Sequence, residues 1–498
     1  MAMGIVQRDS FRISLIAYAG AVIGYLNKLF LFTNFLTTEQ VGLANLMITI
    51  SLIYAQVGAL GSRNIILRFF PFFNDPKNQH HGFLFGVMAL SLAGFTLATL
   101  LFLIFQRPFV MLYGDSSPLL VDYALYLIPL GLATLFFNLF ESYLRCLYRN
   151  VIPSVTHEVV LRLLVTVSIS LFALGVISFP GFVAVYVIAY CLPAVILIGY
   201  TAAKGWLQVQ PAWPPLLRRL GKIMLVYGLY SLLNNLSIFL LISVDSLMVA
   251  GMIDLGVAGV YTTMIFMTSV MLIPYRSMVK VSAPLIAAYW KTRAMGHMEE
   301  VYRKATAGNL VVGGLLFLLL WVNLDAIFYF MPDEYQAGRY IFLLLGIGKL
   351  FDMSAGLNAT ILTTSKKYRY DLYFTLGMVG FAIVANLLFI PLWGAEGAAF
   401  ASMLTLVLFN LVRLIFIYVH FGIQPFEKRQ LWVPGLMVVI MAASWQTGMG
   451  PNVFADLVLR SLITIVLFLW PVWVLGISQD LNLWARKLVI QIADYFRQ

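Results

Sequence analysis

Long apolar runs follow one another along almost the whole chain, separated by short polar segments. Each run has about 20 residues, the length that a helix needs to cross the hydrocarbon core of a membrane. Continuous apolar runs predict helices, because the strands of a membrane barrel alternate apolar and polar positions. About 14 spans are predicted, at residues 11–32, 42–61, 83–105, 119–140, 159–178, 182–203, 223–250, 257–280, 308–331, 340–362, 372–392, 398–419, 432–449 and 455–477.

The composition agrees with this pattern. Of the 498 residues, 61% are hydrophobic and 11% are charged, whereas soluble domains have about 25% charged residues. The sequence therefore predicts an all-α integral membrane protein. A short polar stretch at residues 1–10 precedes the first run, and no small-residue cleavage site follows it. A retained first span is expected rather than a signal peptide.

Few residues offer disulfide, metal or nucleotide chemistry. The two cysteines, Cys146 and Cys191, argue against a disulfide framework. The five histidines fall in predicted loops or at span ends, without metal-ligand spacing. The segment Gly346-Ile-Gly-Lys349 is too short for a phosphate-binding loop and lies inside a span. We therefore expect no metal, no cofactor and no enzymatic activity, and we expect the energy to come from gradients or from the substrate concentration.

Basic residues concentrate in alternate loops. The intervening loops contain only Arg107 and Arg339. Because Lys and Arg are retained on the cytoplasmic side, this alternation predicts an even number of spans with both termini cytoplasmic. The net charge of +11 follows from this topology and does not indicate a nucleic-acid partner. Apolar residues at helical spacing between positions 481 and 495 predict an amphipathic tail helix on the inner membrane surface.

Several charged residues lie inside the apolar runs. Asp245 is deep within residues 223–252, where an unshielded carboxylate in lipid costs about 2.5–3.5 kcal/mol even on the milder insertion scales. Lipid-facing positions rarely carry charge, so some of these residues are expected to line a polar cavity between helices, as in a transporter. The other embedded charges are Lys28, Arg276, Lys349, Asp352, Arg413 and Arg460.

The two halves of the chain are similar at an offset of about 217–220 residues. Gly42 aligns with Gly259, and Asn138 aligns with Asn358. Each half contains six predicted spans, an even number, so the repeats are expected to run parallel about an axis along the membrane normal. In such proteins, substrate sites lie between the repeats near the midplane.

Two regions carry a family resemblance. Val244-Asp-Ser-Leu-Met-Val-Ala-Gly, followed by Gly256-Val-Ala-Gly-Val-Tyr and then Pro274 and Pro284, resembles the seventh and eighth helices of polysaccharide flippases. The stretch from Asn358 to Lys367, followed by Asn386-Leu-Leu-Phe-Ile-Pro-Leu-Trp-Gly-Ala-Glu-Gly-Ala-Ala, resembles their helices ten to twelve. The chain is thus similar, over nearly its whole length, to Wzx-type oligosaccharide flippases of the multidrug/oligosaccharidyl-lipid/polysaccharide (MOP) exporter superfamily.

This resemblance implies two six-helix lobes that form a V around a central cavity, with two extra helices at the C-terminus. It also implies transport of a polyprenyl-pyrophosphate-linked oligosaccharide from the inner to the outer leaflet of a bacterial inner membrane. The glycan would serve O-antigen, capsule or exopolysaccharide synthesis, with a polysaccharide polymerase and glycosyltransferases as partners. The implied organisation is an N-lobe at 1–204, an inter-lobe loop at 205–222, a C-lobe at 223–420, spans 13 and 14 at 421–478 and a tail at 479–498.

A cavity that moves a pyrophosphate must replace its hydration with fixed cations and hydrogen-bond donors. In the first lobe, Lys28 is the best candidate, together with Asn27 and Tyr25. In the second lobe the candidates are Arg276 and Lys349. Each cation also fits the role of balancing a nearby acid, and Lys28 is near enough to its span end to reach the headgroups.

The embedded acids suggest ion coupling. We hypothesise that Asp245 takes up a proton or a sodium ion and so couples the membrane gradient to the reset of the transporter. Asp352 is the second candidate. Structural alternatives stay open: Asp245 also fits a partner for Arg276 or Lys28, and Asp352 lies three residues from Lys349 on one helix face.

Arg413 and Arg460 lie nearer to span ends, where a long basic side chain can extend to the headgroups. Two other functions were weighed. A cation-coupled multidrug antiporter of the same superfamily usually has about twelve helices and an acidic cavity. A membrane glycan polymerase or transferase has large outer loops with catalytic residues, and the outer loops here are short.

Overall fold

The computed structural model describes residues 2–75, 80, 82–207, 215–445 and 452–477. All regular structure in these ranges is helical. Two compact units are present, Met1–Val260 and Tyr261–Gln498. Their boundary lies inside one helix, Leu255–Ser269. The division into lobes at the predicted loop 205–222 stays a prediction. The predicted tail at 479–498 lies outside the described residues.

The described part of the first unit contains twelve α-helices and the start of a thirteenth. They are α1 Ala2–Leu26, α2 Phe32–Phe35, α3 Thr38–Ala59, α4 Ser62–Phe73, α5 Phe83–Ile104, α6 Gln106–Tyr113, α7 Pro118–Asp122, α8 Leu127–Cys146, α9 Val151–Val155, α10 Leu161–Ala173, α11 Phe179–Ala203, α12 Pro215–Met252 and α13 Leu255–Ser269. Two π-helical segments, Asn27–Leu31 and Thr156–Val160, and a short 3-10 turn, Ala124–Tyr126, join them.

The second unit continues from α13 through eight further helices. They are α14 Leu272–Thr292, α15 Met295–Val322, α16 Leu324–Tyr329, α17 Arg339–Ser354, α18 Asn358–Thr364, α19 Arg369–Phe421, α20 Trp432–Trp445 and α21 Val453–Val474. The 3-10 segments Asp333–Gly338 and Lys428–Leu431 precede α17 and α20.

Fewer spans than the predicted 14 pass a test of length and hydropathy. In the described ranges ten helices do so, or twelve if the bent pairs α13–α14 and α17–α18 each count as one span. Both pairs bend by 50°. The α20 helix has only 14 described residues, which is shorter than the roughly 20 residues of a spanning helix.

The longest helix contains two predicted spans. α19 has 53 residues, or about 80 Å at 1.5 Å per residue, while the hydrocarbon layer is about 30 Å thick. Non-helical dihedral angles at Trp393 and Gly394 divide it, and Gly394 has a positive φ of 58° that favours glycine. The break lies in the gap expected between the spans at 372–392 and 398–419.

Matching caps begin α3 and α13. The Thr37 hydroxyl accepts a hydrogen bond from the Gln40 backbone N–H, and the Gln40 side chain accepts one from the Thr37 N–H, which forms a capping box. At the start of α13, the Asp254 carboxylate accepts a hydrogen bond of 2.7 Å from the Val257 N–H. Thr37 and Asp254 are related by the same offset that aligns Gly42 with Gly259.

Each unit has its own apolar core. In the first unit, the rings of Phe70 and Tyr143 meet edge to face with centroids 5.5 Å apart, beside Phe83. In the second, Tyr302 and Ile417 pack in a cluster between α14, α15, α18 and α19. The first core includes α12, which carries Asp245, and the second includes α14 and α19, which carry Arg276 and Arg413.

Candidate functional site

A group of polar side chains lies where π-helical segments interrupt two helices of the first unit. Asn27–Leu31 continues α1, and Thr156–Val160 leads into α10. A π-helical turn is rare and is frequent at functional sites. We call this group the first-unit cluster. Its members are Asn27, Lys28, Asn45, Glu158, Arg162 and Thr166.

Two glycines let α1 approach the second π-helical segment. A β-carbon on Gly20 would lie 2.9 Å from the Glu158 β-carbon and would overlap its carbonyl oxygen. A β-carbon on Gly24 would lie 2.7 Å from Nη1 of Arg162. The two glycines thus allow close packing, which places the Arg162 guanidinium against the face of α1 that leads to Lys28.

Lys28 is half-buried within the first unit. Its ammonium donates a hydrogen bond to Oδ1 of Asn45 and lies 4.9 Å from the centre of the Phe32 ring. These are neutral partners, so the positive charge of Lys28 is not balanced by an acid among the described residues. The pairing with Asp245 that the sequence left open is not observed.

Asn27 has a structural role in the cluster. Its side-chain amide donates to the Arg162 carbonyl oxygen at 2.9 Å and accepts from the Thr166 hydroxyl at 2.8 Å. The residue is 2% exposed, so its amide fastens the first π-helical segment to α10. Tyr25 is half-buried one turn before Lys28.

Arg162 was not among the residues singled out from the sequence. Its guanidinium pairs with Glu158 at 2.6 Å, and both side chains keep more than a quarter of their surface exposed. The spacing of four residues near the start of a predicted span was the available signal, because acid and base at that spacing meet on a helix. A guanidinium has five N–H donors, and Glu158 occupies only part of that capacity.

A second group of polar side chains is buried in the second unit. Asn410 lies at the centre of this group. The Asn410 side-chain N–H donates to Asp352 at 2.9 Å, and the Asn410 side-chain oxygen accepts from Asn358 at 2.8 Å. Asn358 and Asn410 are almost completely buried. We call this group the second-unit cluster. Its members are Lys349, Asp352, Asn358, Asp371, Asn410 and Arg413.

Arg413 does not extend to the headgroups. Its guanidinium pairs with Asp371 at 2.6 Å between Nη2 and Oδ1, and each side chain is 10% exposed. It also lies 3.8 Å from the centre of the Phe409 ring. Arg460 likewise turns inward, with its Nε 2.8 Å from Oδ2 of Asp456. Burial with a partner replaces the expected extension toward the headgroups at both positions.

Lys349 binds the last turn of α13. Its ammonium donates to the Ile265 carbonyl oxygen at 2.9 Å and to the Thr268 hydroxyl at 2.7 Å. The α13–α14 bend follows directly. A cation at the C-terminal end of a helix interacts favourably with the carbonyl groups that have no helical partner, so Lys349 stabilises the end of α13.

Arg276 is exposed on α14, and no hydrogen bond or ion pair joins its side chain to another described residue. The neighbouring Tyr275 is partly buried and donates to the Gly356 carbonyl oxygen at 3.2 Å. Arg276 is therefore not fixed by a partner.

Asp245 is buried in the last third of α12, with 5% of its surface exposed. One carboxylate oxygen accepts a hydrogen bond of 2.9 Å from the Ser246 N–H. Two groups from outside the helix hold the turns that follow: Tyr113 donates to the Leu247 carbonyl oxygen, and Ser117 donates to that of Ala250. Burial raises the pKa of Tyr113 to about 12, so this hydroxyl keeps its proton at neutral pH.

No group of three or more His, Cys, Asp or Glu side chains suited to a metal ion is found in the described ranges. The two clusters consist of amides, hydroxyls, carboxylates and basic groups. Such groups can bind anions, protons and hard cations.

Comparison with known proteins gives structural matches only. No family model matches the chain, and no curated protein sequence matches it. A solved structure of the lipid II flippase MurJ in an inward closed conformation is similar at a TM-score of 0.73 and 13% identity, covering 96% of this chain and 99% of that one.

Multidrug transporters have the same architecture. An inward-facing multidrug resistance MATE family transporter of the MOP superfamily is similar at a TM-score of 0.61 and 18% identity, over 88% of this chain and 99% of that one. A mutant of the Vibrio cholerae MATE transporter VcmN is similar at a TM-score of 0.51 and 14% identity, over 83% of this chain and 97% of that one. The chain therefore has a fold similar to those of lipid flippases and multidrug transporters of the MOP superfamily.

Proposed function

We propose that the protein flips a polyprenyl-pyrophosphate-linked oligosaccharide from the inner to the outer leaflet of a bacterial inner membrane, for cell-surface polysaccharide synthesis. The observation that carries the proposal is the half-buried Lys28, whose charge has neutral partners in a helix of the membrane-spanning type. Fold similarity to a lipid II flippase over 96% of the chain supports it.

The physical reason is the charge of the cargo. A pyrophosphate diester is anionic, and moving it through an apolar layer requires donors that replace its water. Lys28 and Arg162 have N–H groups beyond those used by Asn45 and Glu158. Lys349 and Arg276 are further candidates for contact with the cargo in the second unit. Lys349 already donates two hydrogen bonds to α13, so contact with the cargo there would compete with these bonds.

Asp245 is proposed as the coupling group. The residue is buried, its carboxylate accepts a hydrogen bond from the Ser246 N–H, and Ser243 and Ser246 are buried in the same stretch of α12; such a setting suits binding of a proton or a sodium ion. Asp352 has a hydrogen bond from Asn410 and is the second candidate. Reversible cation binding at either acid would favour one conformation over the other by the difference in cation affinity.

A drug antiporter is the second candidate function, because the MATE transporters have a similar fold. Asp371, Glu158 and Asp456 each pair with an arginine, so the embedded acids that a cation could use are Asp245 and Asp352. Lys28, whose partners are neutral, does not favour a cationic drug in the first unit.

The experiment is a flipping assay with the full chain in proteoliposomes. A polyprenyl-pyrophosphate-linked oligosaccharide with a fluorescent sugar is placed in both leaflets, and an impermeant reagent then destroys the fluorophores exposed in the outer leaflet. Vesicles with the protein should lose nearly all of their fluorescence, because inner-leaflet molecules reach the outer leaflet, and vesicles without it should keep the inner-leaflet signal. A cationic dye loaded into the same vesicles tests the antiporter. Dye export without movement of the glycolipid would refute the proposal.

A further inference from the structure

A polar cavity of about 240 Å³ lies in the second unit, away from both clusters. Its wall is formed by the start of α15, the segment before α20 and the residues that follow α21. The starts of α15 and α20 and the end of α21 thus meet at this cavity. Of these helices, α15 and α21 are candidate membrane spans. The cavity is therefore at a membrane boundary, on the side that the distribution of basic residues predicts to be cytoplasmic.

Among the described residues, the ion pairs in the wall leave one acid and one base unmatched. Arg303 pairs with Glu299 at 2.6 Å and Lys304 pairs with Glu300 at 2.7 Å, both along α15. The remaining two charges, those of Glu427 and Arg429, are exposed.

Neither the Glu427 nor the Arg429 side chain has a hydrogen bond or ion pair with another described residue. The cavity thus offers one carboxylate and one guanidinium to a ligand, and this pair fits a zwitterion.

Gln430 supplies the third recognition group. It lines the cavity, it is 3% exposed, and its Oε1 has no hydrogen-bond partner among the described residues. A buried amide oxygen that accepts no hydrogen bond costs the protein about 1–3 kcal/mol of stability. A ligand that brings N–H groups would recover part of that loss. A primary ammonium has three donors, enough for Glu427 and Gln430 together, whereas a quaternary ammonium has none.

The surroundings favour a lipid as the source of the zwitterion. Leu431 and Trp432 follow Gln430 directly and are 75% and 63% exposed, and Phe426 is also exposed. Exposed tryptophan beside polar groups is typical of the membrane interface. Acyl chains could lie along these side chains while the headgroup enters the cavity.

We propose that this cavity binds the phosphoethanolamine headgroup of a phospholipid, with the ammonium at Glu427 and Gln430 and the phosphate at Arg429. The inference is independent of the transported substrate, because no residue of either polar cluster lines the cavity. A failed flipping assay would leave it intact.

The experiment measures binding of short-chain phosphatidylethanolamine to the full chain in detergent, by the shift of the thermal unfolding temperature with lipid concentration. Phosphatidylcholine with the same acyl chains is the chemical control. We expect the ethanolamine lipid to bind at least about tenfold more tightly, and stepwise N-methylation to weaken binding as donors are removed. Equal affinity for the two lipids would overturn the proposal.

Three variants locate the site. Each of the variants Glu427→Gln, Arg429→Gln and Gln430→Leu should lower the affinity for the ethanolamine lipid by about fivefold or more. The matched control is Lys428→Gln, because Lys428 is exposed in the same segment but does not line the cavity. Since Glu427 and Arg429 are exposed, their variants test the site even if Gln430→Leu unfolds. Unchanged binding in Glu427→Gln and Arg429→Gln would refute the assignment.

Free O-phosphoethanolamine separates the two sources of the headgroup chemistry. If the lipid is the ligand, the soluble compound should require a concentration at least about tenfold higher for the same shift. Equal potency would overturn the lipid assignment in favour of a soluble zwitterion.

Discussion

Gly42 of α3 and Gly259 of α13 lie backbone against backbone. A β-carbon on Gly42 would be 3.1 Å from the Gly259 nitrogen and would overlap the Leu255 carbonyl oxygen. A β-carbon on Gly259 would be 3.0 Å from the Gly42 nitrogen and would overlap the Thr38 carbonyl oxygen. The contact is reciprocal, and the two glycines are the pair that the internal repeat aligns. Equivalent positions of the two halves thus meet at the capped starts of equivalent helices.

Gly42→Ala should destabilise the protein, because backbone atoms cannot move away from an added methyl group as a side-chain tip can. We expect a loss of about 1–3 kcal/mol or more, seen as a lower unfolding temperature in detergent. Gly199→Ala is the matched control, since a β-carbon there would meet nothing within 4 Å. Equal unfolding temperatures for the two variants would contradict the close contact.

Arg413→Met should lower the free energy of unfolding more than the removal of both members of the buried Arg413–Asp371 pair does. The single variant leaves the Asp371 carboxylate buried without its cation, which costs about 3–5 kcal/mol. The double variant Arg413→Met with Asp371→Leu should recover most of that loss, because apolar side chains can fill the site.

A double-mutant cycle of unfolding free energies measures this difference. For comparison, Arg145→Met removes a partner of Glu141 where the arginine side chain is 46% exposed, and it should cost about 0–1 kcal/mol. If the double variant at Arg413 and Asp371 were as unstable as the single one, the pair would not explain the loss.

Lys28→Met should reduce the flipping rate at least about tenfold, equivalent to about 1.4 kcal/mol of barrier, with little change in stability. Lys28→Arg should keep more of the rate because it retains the charge. Arg162→Gln should also slow flipping. Arg107→Met, at an exposed arginine of α6, should have no effect. A wild-type rate in Lys28→Met would remove the main support for an anionic cargo at this site.

Asp245→Asn should abolish the response of flipping to imposed proton or sodium gradients. The amide cannot gain or lose a proton in the physiological range, and it binds a cation less strongly than a carboxylate does. The measurement is the flipping rate at two pH values and two sodium concentrations, with Asp122→Asn, at an exposed acid outside the candidate spans, as the control. A variant that still follows the gradients as the wild type does would show that Asp245 is not the coupling group.

The sequence by itself determined the all-helical membrane class, the positions of most spans and the interruption between residues 392 and 398. Hydropathy and glycine chemistry act locally, so these features can be predicted without knowing the neighbours. The embedded charges were likewise visible, since a charge in an apolar run is conspicuous whatever surrounds it.

Only the tertiary structure decided what each charge contacts. Arg413 pairs with an acid 42 residues away along the chain, and Lys349 binds the end of a helix more than 80 residues before it. The partners of Lys28 in the described part of the chain are the neutral Asn45 and Phe32. Partners of this kind meet because helices pack side by side. The hydropathy of an apolar run does not specify which helix packs against it. The number of crossing helices also depended on bends and breaks, which packing sets and hydropathy alone does not.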